Sequence, residues 1–304
     1  MSETASAPTT TRNLRVGLIG LGSMGRHHAR VIRATPGMEL VAVADPGGDR
    51  FGVAGDLELL PDAAALIDVG LDAAMVAVPT VYHEEVALAL AEAGVPTMVE
   101  KPIAHSVQAG RRVADAFASR DLVGAVGYVE RCNPALRALR ERLDAGELGQ
   151  VYQVLTRRQG PFPARISDVG VVKDLATHDV DLTAWVAGSP YCSISAQVTH
   201  RSGRANEDMV VANGLLANGV IVSHTVNWLT PFKERVTIVT GEKGAFVADT
   251  LTGDLTFHAN GTVESSWDQV ANFRGVSEGD VIRYAIPKRE PLALEQEHFR
   301  DAVL

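Results

Sequence analysis

The sequence predicts an α/β protein in which a doubly wound parallel sheet is followed by an α+β domain with a large, mainly antiparallel open sheet. Three observations support this: a Gly-x-Gly-x-x-Gly segment between an apolar run and a helical pattern, short apolar runs that alternate with helical patterns as far as Gly127, and successive strand-like runs after Tyr191. Alternation favours a parallel sheet covered on both faces, and strands without intervening helices favour an antiparallel sheet.

Composition is that of a soluble globular protein with room for two domains. The 304 residues are 46% hydrophobic and 21% charged, and 28 basic residues against 37 acidic ones give a net charge of −9. Because the basic residues are scattered, we expect neither nucleic acid nor an anionic membrane as a partner. An anionic substrate would need a local arginine cluster.

Targeting signals and cysteine chemistry are not evident. Residues 1–13 are small and polar, which predicts a disordered tail and no signal peptide. No apolar stretch approaches the roughly 18 residues that a membrane span needs. Cys132 and Cys192 fit no zinc or redox spacing, so we interpret both as inert thiols and expect a cytoplasmic protein.

The first element of the fold is a strand, a turn and a helix start at Leu14–Gly25, LRVGLIGLGSMG. Gly20 allows a sharp turn, Gly22 lets a pyrophosphate approach the backbone, and Gly25 lets the new helix pack closely on its strand. This spacing is typical of a dinucleotide-binding Rossmann domain, which we place at residues 14–127.

A second apolar run, Glu39–Ala44, ends at Asp45, twenty residues after Gly25. A carboxylate there binds the hydroxyls of an adenosine ribose and repels a 2′-phosphate, so NAD is favoured over NADP. The N–H groups at Ser23 and Met24, at the positive end of the helix, suit the phosphates. The alternative is a glycine-rich surface turn followed by a solvated aspartate.

The rest of the first domain alternates helices with strands. Ligands in such sheets sit beyond the carboxyl ends of the strands, so we expect Ala77, Pro79 and His83 to border the cofactor. The predicted elements are a loop at 56–60, a helix from Pro61 to Ile67, a strand at Ala73–Val78, a helix at Thr80–Ala93, a strand at Thr97–Val99, a helix at Ser106–Ser119 and a strand at Leu122–Gly127.

Residues 128–304 predict a second domain that binds substrate and forms oligomers. We expect six or seven strands between Tyr191 and Trp267, and a substrate that meets the cofactor at the seam between the domains. The clearest elements are helices at Ala135–Leu143, Asp174–Ala187 and Leu294–Val303 and strands at Val151–Arg158, Ile194–Thr199, Met209–Leu215, Val220–Trp228 and Val236–Thr240.

The tripeptide Glu100-Lys101-Pro102 follows a buried strand of the first domain. Charged residues that end such a strand point into the ligand crevice, so we expect Glu100 and Lys101 to contact the cofactor. A lysine cation there stabilises a developing alkoxide. The proline fixes the turn, through a cis bond in one interpretation. A surface lysine in a loop is the equally weighted alternative.

Asp174, His178, Asp181 and Trp185 share one face of a predicted helix. His178 on that face could accept the proton of a carbinol, with the adjacent carboxylate orienting the imidazole. Two alternatives stay open. One is a surface histidine that forms a hydrogen bond with its i−4 carboxylate. The other is a metal site of Asp174, His178 and Asp181, although no further residues follow a spacing typical of metal ligands.

A proline-containing loop carries the arginines Arg157, Arg158 and Arg165. Three guanidinium groups could clamp a diphosphate with paired hydrogen bonds. Solvated loop arginines are the alternative.

Together the glycine fingerprint, Glu100-Lys101-Pro102, Asn133-Pro134 and the Asp174/His178 pair resemble the Gfo/Idh/MocA family of NAD(P)-dependent sugar and cyclitol oxidoreductases, over nearly the whole chain. The resemblance implies that Lys101, Asp174 and His178 serve the carbinol of a small-molecule substrate, without a metal. It also implies a homodimer or homotetramer built through the open sheet.

Three segments resemble the branch of that family that contains UDP-N-acetylglucosamine 3-dehydrogenases. They are GYVERCNPA at 127–135, GPFPARISDVGV at 160–171 and VNWLTP at 226–231. This likeness implies oxidation of the 3-hydroxyl of a UDP-sugar to a ketone, and it adds Arg131 and Asn133 to the expected substrate contacts.

Two further hypotheses stay open beside this one. The first is an inositol or free-sugar dehydrogenase of the same family, and the second is a non-catalytic protein that senses NAD or sugars. The chain also departs from many relatives, with Gly170-Val171-Val172 before the aspartate and an end at Leu304, from which we expect a shortened domain or a helix supplied by a partner subunit.

Overall fold

The computed structural model describes residues 12–163, 169–261 and 277–304. The chain divides into two compact units, of which the first runs to Gly127 and includes Leu292–Leu304, and the second spans Tyr128–Pro291. The break after Gly127 coincides with the expected domain boundary. The C-terminal helix, expected in the second domain, belongs instead to the first unit, because its Phe299 packs in the core cluster that contains Leu14.

The strands of the first unit are β1 (Leu14–Ile19), β2 (Met38–Ala44), β3 (Leu59–Leu60), β4 (Ala73–Val76), β5 (Thr97–Glu100) and β6 (Gly124–Gly127). In the described residues they form a six-stranded sheet in the order β3-β2-β1-β4-β5-β6, and every pairing is parallel. This confirms the doubly wound sheet. The expected loop at 56–60 ends in β3, which pairs with Val43 and Ala44.

In chain order the helices are α1 (Ser23–Ala34), α2 (Ala63–Asp68), α3 (His83–Glu92), α4 (Val107–Ala118), α5 (Pro134–Asp144), α6 (Thr177–Ala187) and α7 (Pro291–Val303). A 3₁₀ turn, Thr80–Tyr82, precedes α3, and a π-helical turn, Val172–Ala176, precedes α6.

Both faces of the first sheet are buried. Val16 and Leu18 of β1 pack with residues of α1 and α7, while Ile19 packs on the other face with residues of α2, α3 and α4. Because helices cover both faces, ligands in such folds bind beyond the carboxyl ends of the strands.

The strands of the second unit are β7 (Val151–Pro161), β8 (Tyr191–Thr199), β9 (Met209–Leu216), β10 (Ile221–Asn227), β11 (Leu229–Gly241), β12 (Gly244–Asp249), β13 (Asp254–Gly261) and β14 (Ser277–Arg283). Among the described residues they form one sheet in the order β14-β13-β12-β11-β7-β10-β9-β8. Only the β7–β10 pairing is parallel there, so the sheet is mainly antiparallel, as predicted.

One face of this second sheet is covered by α5 and α6. Leu136 of α5 and Leu182 of α6 pack with Val154 and Val222 of the central strands. The opposite face leaves apolar side chains exposed, among them Leu215 and Ile221. The sheet is therefore buried on one face and open on the other.

The expected disordered tail lies outside the described residues except for Arg12 and Asn13. Arg12 donates two hydrogen bonds to the Asp72 carboxylate, at 2.6 and 2.7 Å. None of the helices in the described ranges combines the length and apolar character needed to cross a bilayer.

Candidate active site

The glycine turn after β1 has the geometry that a dinucleotide fingerprint requires. Gly20 has φ of +92°, and a Cβ there would lie 2.5 Å from the carbonyl carbon of Ala77. A Cβ on Gly25 would collide with the carbonyl oxygen of Gly20. A Cβ on Gly22, in contrast, would meet nothing within 4 Å. Gly20 and Gly25 thus serve the turn and its packing, while Gly22 leaves open space.

That open space fits the pyrophosphate of a dinucleotide. Helix α1 begins at Ser23, directly after Gly22, and has no acidic residue in its first turn. The first N–H groups of a helix have no partner within it, so those at Ser23 and Met24 suit an anion. Gly20 lies against Ala77 at the β1/β4 junction, where the strand order reverses and such sheets bind nucleotides.

Asp45 is fixed at the end of β2 by backbone amides. Its Oδ2 accepts a hydrogen bond from Leu21 N–H at 2.7 Å, and its Oδ1 accepts one from Gly47 N–H at 2.8 Å. Each carboxylate oxygen has a further lone pair for a ribose hydroxyl. The expected contact with the adenosine ribose stays a prediction that this geometry permits.

His83 ties the loop after β4 to the loop after β5. Its Nδ1 lies 2.8 Å from the Pro102 carbonyl oxygen and its Nε2 lies 2.8 Å from that of Val78. The side chain is 1% exposed. Both ring nitrogens are thus engaged within the protein, and we remove His83 from the expected cofactor contacts. Ala77 and Pro79 remain predictions.

Glu100 and Lys101 lie at the carboxyl end of β5. Lys101 is half-buried, and its peptide bond to Pro102 is cis. The Glu100 carboxylate is buried and accepts hydrogen bonds from His28 Nε2 at 2.7 Å and from the Lys101 backbone N–H at 3.2 Å. The expected contacts of both residues with the cofactor stay predictions.

In the second unit, Asp174 lies in the π-helical turn and His178 in the first turn of α6. The sequence predicted one regular helix over both, but the wider turn changes the angle between them. Asp174 Oδ2 and His178 Nδ1 are both shielded from solvent. Glu207 supports the turn, since its carbonyl and its Oε1 accept from Val171 and Val172 N–H. Single π turns occur frequently at functional sites.

Asp181 and Trp185, the other residues of the predicted helix face, have contacts of their own. The guanidinium of Arg131 donates to both oxygens of Asp181, at 2.8 and 2.5 Å, and Trp185 packs against the core cluster of α5 and α6. Arg131 thus uses its paired donors on Asp181, and its contact with substrate stays a prediction. The described ranges contain no group of three His, Cys, Asp or Glu residues placed to hold a metal ion.

Arg158 is buried between two carboxylates. Its Nε donates to Asp179 Oδ2 at 2.8 Å and its Nη1 donates to Glu130 Oε1 at 2.7 Å, and the residue is 4% exposed. Burial alone lowers the pKa of this guanidinium, but attraction by Asp179 and Glu130 outweighs it and raises the pKa above its usual range. We therefore replace the expected substrate contact with a structural role.

The other members of the predicted arginine clamp do not converge on Arg158. Arg157 forms an ion pair with Glu234 at 2.9 Å, and Arg165 lies outside the described residues. Asn133 also has a structural role, because its Oδ1 accepts from Ala135 N–H at the start of α5 and its Nδ2 donates to the Thr250 carbonyl. We remove Asn133 from the expected substrate contacts.

Sequence reasoning missed Arg235, which lies on β11 directly opposite Arg158. It is half-buried, and burial lowers its pKa, with the nearby Arg158 charge adding to the effect. Its Nη1 donates to the carbonyl oxygens of Gln159 and Glu234. The sequence signal was its place at the end of the charged run Lys233-Glu234-Arg235, directly before the strand-like segment Val236–Thr240.

Comparison with known proteins identifies the family. Residues 14–128 match a model of the oxidoreductase family with an NAD-binding Rossmann fold, and residues 136–247 match the GFO/IDH/MocA C-terminal domain. The chain belongs to the Gfo/Idh/MocA family. The family is one of oxidoreductases with an NAD-binding Rossmann fold, and the relatives named below are dehydrogenases, which favours an enzyme over the non-catalytic hypothesis.

Relatives within the Gfo/Idh/MocA family differ in substrate. UDP-N-acetylglucosamine 3-dehydrogenase of Acidithiobacillus ferrooxidans is 31% identical over 96% of this chain and 89% of its own. Its crystal structure matches with a TM-score of 0.83 and 28% identity. Inositol 2-dehydrogenase 2 of Saccharopolyspora erythraea is 33% identical over 69% of this chain, and scyllo-inositol 2-dehydrogenase (NAD(+)) of Bacillus subtilis is 31% identical over 60%. The chain spans 65% and 56% of the length of these two relatives.

Proposed function

We propose that the protein oxidises the 3-hydroxyl of UDP-N-acetylglucosamine, or of a related UDP-sugar, to a ketone with NAD. The observation that supports this is alignment coverage. The UDP-N-acetylglucosamine 3-dehydrogenase aligns over nearly all of both chains, whereas the inositol dehydrogenases align over a smaller part of each.

The proposed chemistry uses three side chains. His178 accepts the carbinol proton as general base, and Asp174 orients the imidazole and stabilises its charged form. The Lys101 ammonium donates a hydrogen bond to the oxygen on which negative charge develops. A bound NAD would supply the acceptor for the hydride that leaves the same carbon. The balance is one alcohol and one NAD⁺ for one ketone, one NADH and one proton.

Cofactor binding is assigned to the first unit. We propose that the pyrophosphate lies over Gly22 and the first N–H groups of α1. A Cβ placed on Gly22 would meet no atom within 4 Å, so the space beside its backbone is open. Asp45 would bind the adenosine ribose, and Ala77 and Pro79 would border the nicotinamide ring.

Recognition of a sugar diphosphate needs cations other than Arg158. We propose Arg235 for this role, together with Arg131 and Arg165. Arg235 is half-buried and lies in the same unit as Asp174. Burial, together with the positive charge of Arg158, lowers its pKa, so its charged form lacks full stabilisation within the protein. An anionic group of the substrate would stabilise that charge.

A cyclitol is the second candidate substrate. The burial of Arg158 between Glu130 and Asp179 removes one arginine from the expected diphosphate clamp, and inositols carry no diphosphate. Inositol dehydrogenases are also as similar in identity as the sugar-nucleotide enzyme over the aligned part.

The test is a substrate panel with NAD, followed by the absorbance of reduced nicotinamide. UDP-N-acetylglucosamine, free N-acetylglucosamine, myo-inositol and scyllo-inositol are compared at equal concentration. We expect reduction with the UDP-sugar and less than about a hundredth of that rate with the free sugar, because remote binding energy raises turnover. Reduction with inositols alone would replace the proposed substrate with a cyclitol.

We also propose a homodimer or homotetramer built through the open face of the second sheet, and a cytoplasmic location. Exposed apolar side chains on that face, including Leu215 and Ile221, support the oligomer. Sedimentation of the Ile221→Glu variant tests the interface, since a charge there should dissociate the oligomer.

The cytoplasmic location is in keeping with the cysteines, because no disulfide joins Cys132 and Cys192.

A further inference from the structure

The core-facing stripe of α7 contains two polar residues. Its buried residues are Leu292, Glu295, Gln296 and Phe299, which follow the i, i+3, i+4, i+7 spacing of an amphipathic helix. Glu295 is 6% exposed and Gln296 is fully buried. Buried polar groups cost free energy unless they find partners, so this stripe requires an explanation beyond packing.

Gln296 binds the imidazole of His28 in α1. Its Nε2 lies 3.0 Å from His28 Nδ1 and 3.3 Å from the His28 carbonyl oxygen. The carbonyl oxygen can only accept, which identifies the Gln296 atom as the NH₂ nitrogen, and this donor in turn makes His28 Nδ1 an acceptor. We therefore assign His28 as the neutral tautomer with its proton on Nε2.

His28 passes this orientation on to Glu100. With its proton on Nε2, the ring donates to Glu100 Oε1 at 2.7 Å, and His28 is only 2% exposed. The other carboxylate oxygen, Glu100 Oε2, accepts from the Lys101 backbone N–H at 3.2 Å. A chain of hydrogen bonds thus leads from α7 through α1 to Lys101, entirely within the first unit.

Glu295 lies beside this chain as a neutral acid. Burial and the charge of Glu100 raise the pKa of Glu295 to about 8. Its Oε2 and Gln296 Oε1 are buried and have no hydrogen-bond partner among the described residues. Apolar residues of similar volume would dock α7 without these costs. The stripe therefore provides something other than stability.

We propose that Gln296, acting through His28 and Glu100, positions Lys101 at the carboxyl end of β5. The inference rests on the proposed function, in which Lys101 stabilises the developing alkoxide. Gln296 and His28 are positioning residues, because both are buried and act through Glu100. Without the Gln296 amide, His28 is free to change tautomer and withdraw its donor from Glu100, which loosens the loop that holds Lys101.

The first test measures Lys101 without any substrate. The chain has five lysines, Lys101, Lys173, Lys233, Lys243 and Lys288, so trace labelling with acetic anhydride and peptide mass spectrometry resolves each one. In Gln296→Met we expect the labelling rate of Lys101 at fixed pH to change by about threefold or more, with the other four unchanged. Phe299→Leu, on the same stripe, is the matched control and should leave all five rates unchanged.

The second test measures turnover with the substrate identified by the panel. Gln296→Met should lower kcat by about tenfold with an unchanged KM for NAD, and should have no further effect in a Lys101→Ala background. A wild-type labelling rate of Lys101 in Gln296→Met, or an equal change in Phe299→Leu, would overturn the inference. Full turnover by Lys101→Ala would instead remove Lys101 from the proposed chemistry, and the labelling result would still decide whether Gln296 positions Lys101.

Discussion

The N–H of Leu21, within the glycine turn, donates to Asp45 Oδ2 at 2.7 Å. This bond fixes the carboxylate next to the turn that holds the pyrophosphate in the proposed complex. The same charge that binds ribose hydroxyls would repel a 2′-phosphate.

Asp45→Asn should therefore weaken the preference for NAD. Asparagine keeps an oxygen for Leu21 N–H but loses the negative charge. We expect the ratio of kcat/KM for NAD to that for NADP to fall by about tenfold or more. Steady-state kinetics with both cofactors measure the ratio. An unchanged ratio would show that Asp45 does not contact the ribose.

Gly22→Ala should separate cofactor binding from folding. Gly22 has φ of −73° and ψ of −155°, which other residues adopt, and a Cβ there meets no atom within 4 Å. We expect an unchanged or slightly higher free energy of unfolding, because alanine restricts the unfolded chain. The dissociation constant of NADH, measured by fluorescence, should rise by about tenfold or more. Wild-type affinity would place the pyrophosphate elsewhere.

The buried imidazole of His224 predicts acid sensitivity of the second unit. Its Nδ1 lies 2.7 Å from Thr156 Oγ1 and its Nε2 lies 2.9 Å from the Tyr191 hydroxyl. Burial lowers the pKa of His224 from 6.5 to about 4. Between these values the unfolded chain binds a proton that the folded chain does not. Stability is therefore full above pH 6.5 and falls by about 3 kcal/mol toward pH 4.

His224→Gln should remove this dependence of the unfolding free energy on pH. Urea unfolding of the wild type and the variant at about pH 4.5 and pH 7 gives the two free energies for each protein. We expect a smaller pH difference in the variant, whatever its absolute stability. Equal differences would mean that His224 is protonated in the folded protein.

Glu295 predicts that the unfolding free energy of the first unit depends on pH with the opposite sign. Its pKa rises from 4.5 to about 8 through burial and the Glu100 charge. The folded chain binds the extra proton between these values, so this contribution is full below pH 4.5 and is lost, by about 5 kcal/mol, as pH rises through 8. Glu295→Gln is neutral at every pH, and its unfolding free energy should gain relative to wild type between pH 5 and 8. A constant difference would contradict the assignment.

The sequence predicts most of the fold because most helices and strands are long enough to show the spacing of apolar residues that is typical of their type. The glycine turn and the alternation up to Gly127 define the first sheet. The two-residue strand Leu59–Leu60 is too short to show a period, and the π-helical turn at Val172–Ala176 has no sequence signature. Strand Ser277–Arg283 was also missed, beyond the expected last strand.

Local spacing predicts the geometry of the glycine turn and the place of Asp45 at the end of β2. The pairing of Arg158 does not follow from spacing, because its partners Glu130 and Asp179 are 28 and 21 residues away in sequence and only the fold brings them together. The contact between Gln296 and His28, 268 residues apart, was equally beyond local patterns. The available signal was a polar pair on the apolar stripe of the last helix.

The most direct measurement is the turnover of Lys101→Ala and His178→Ala with NAD and the substrate that the panel identifies, alongside their NADH dissociation constants. The proposed chemistry predicts a loss of about a hundredfold or more in kcat for each, with NADH affinity within about twofold of wild type, while Lys243→Ala keeps full turnover. Wild-type kcat in either catalytic variant would contradict the claim that the ammonium and the imidazole serve the same secondary alcohol.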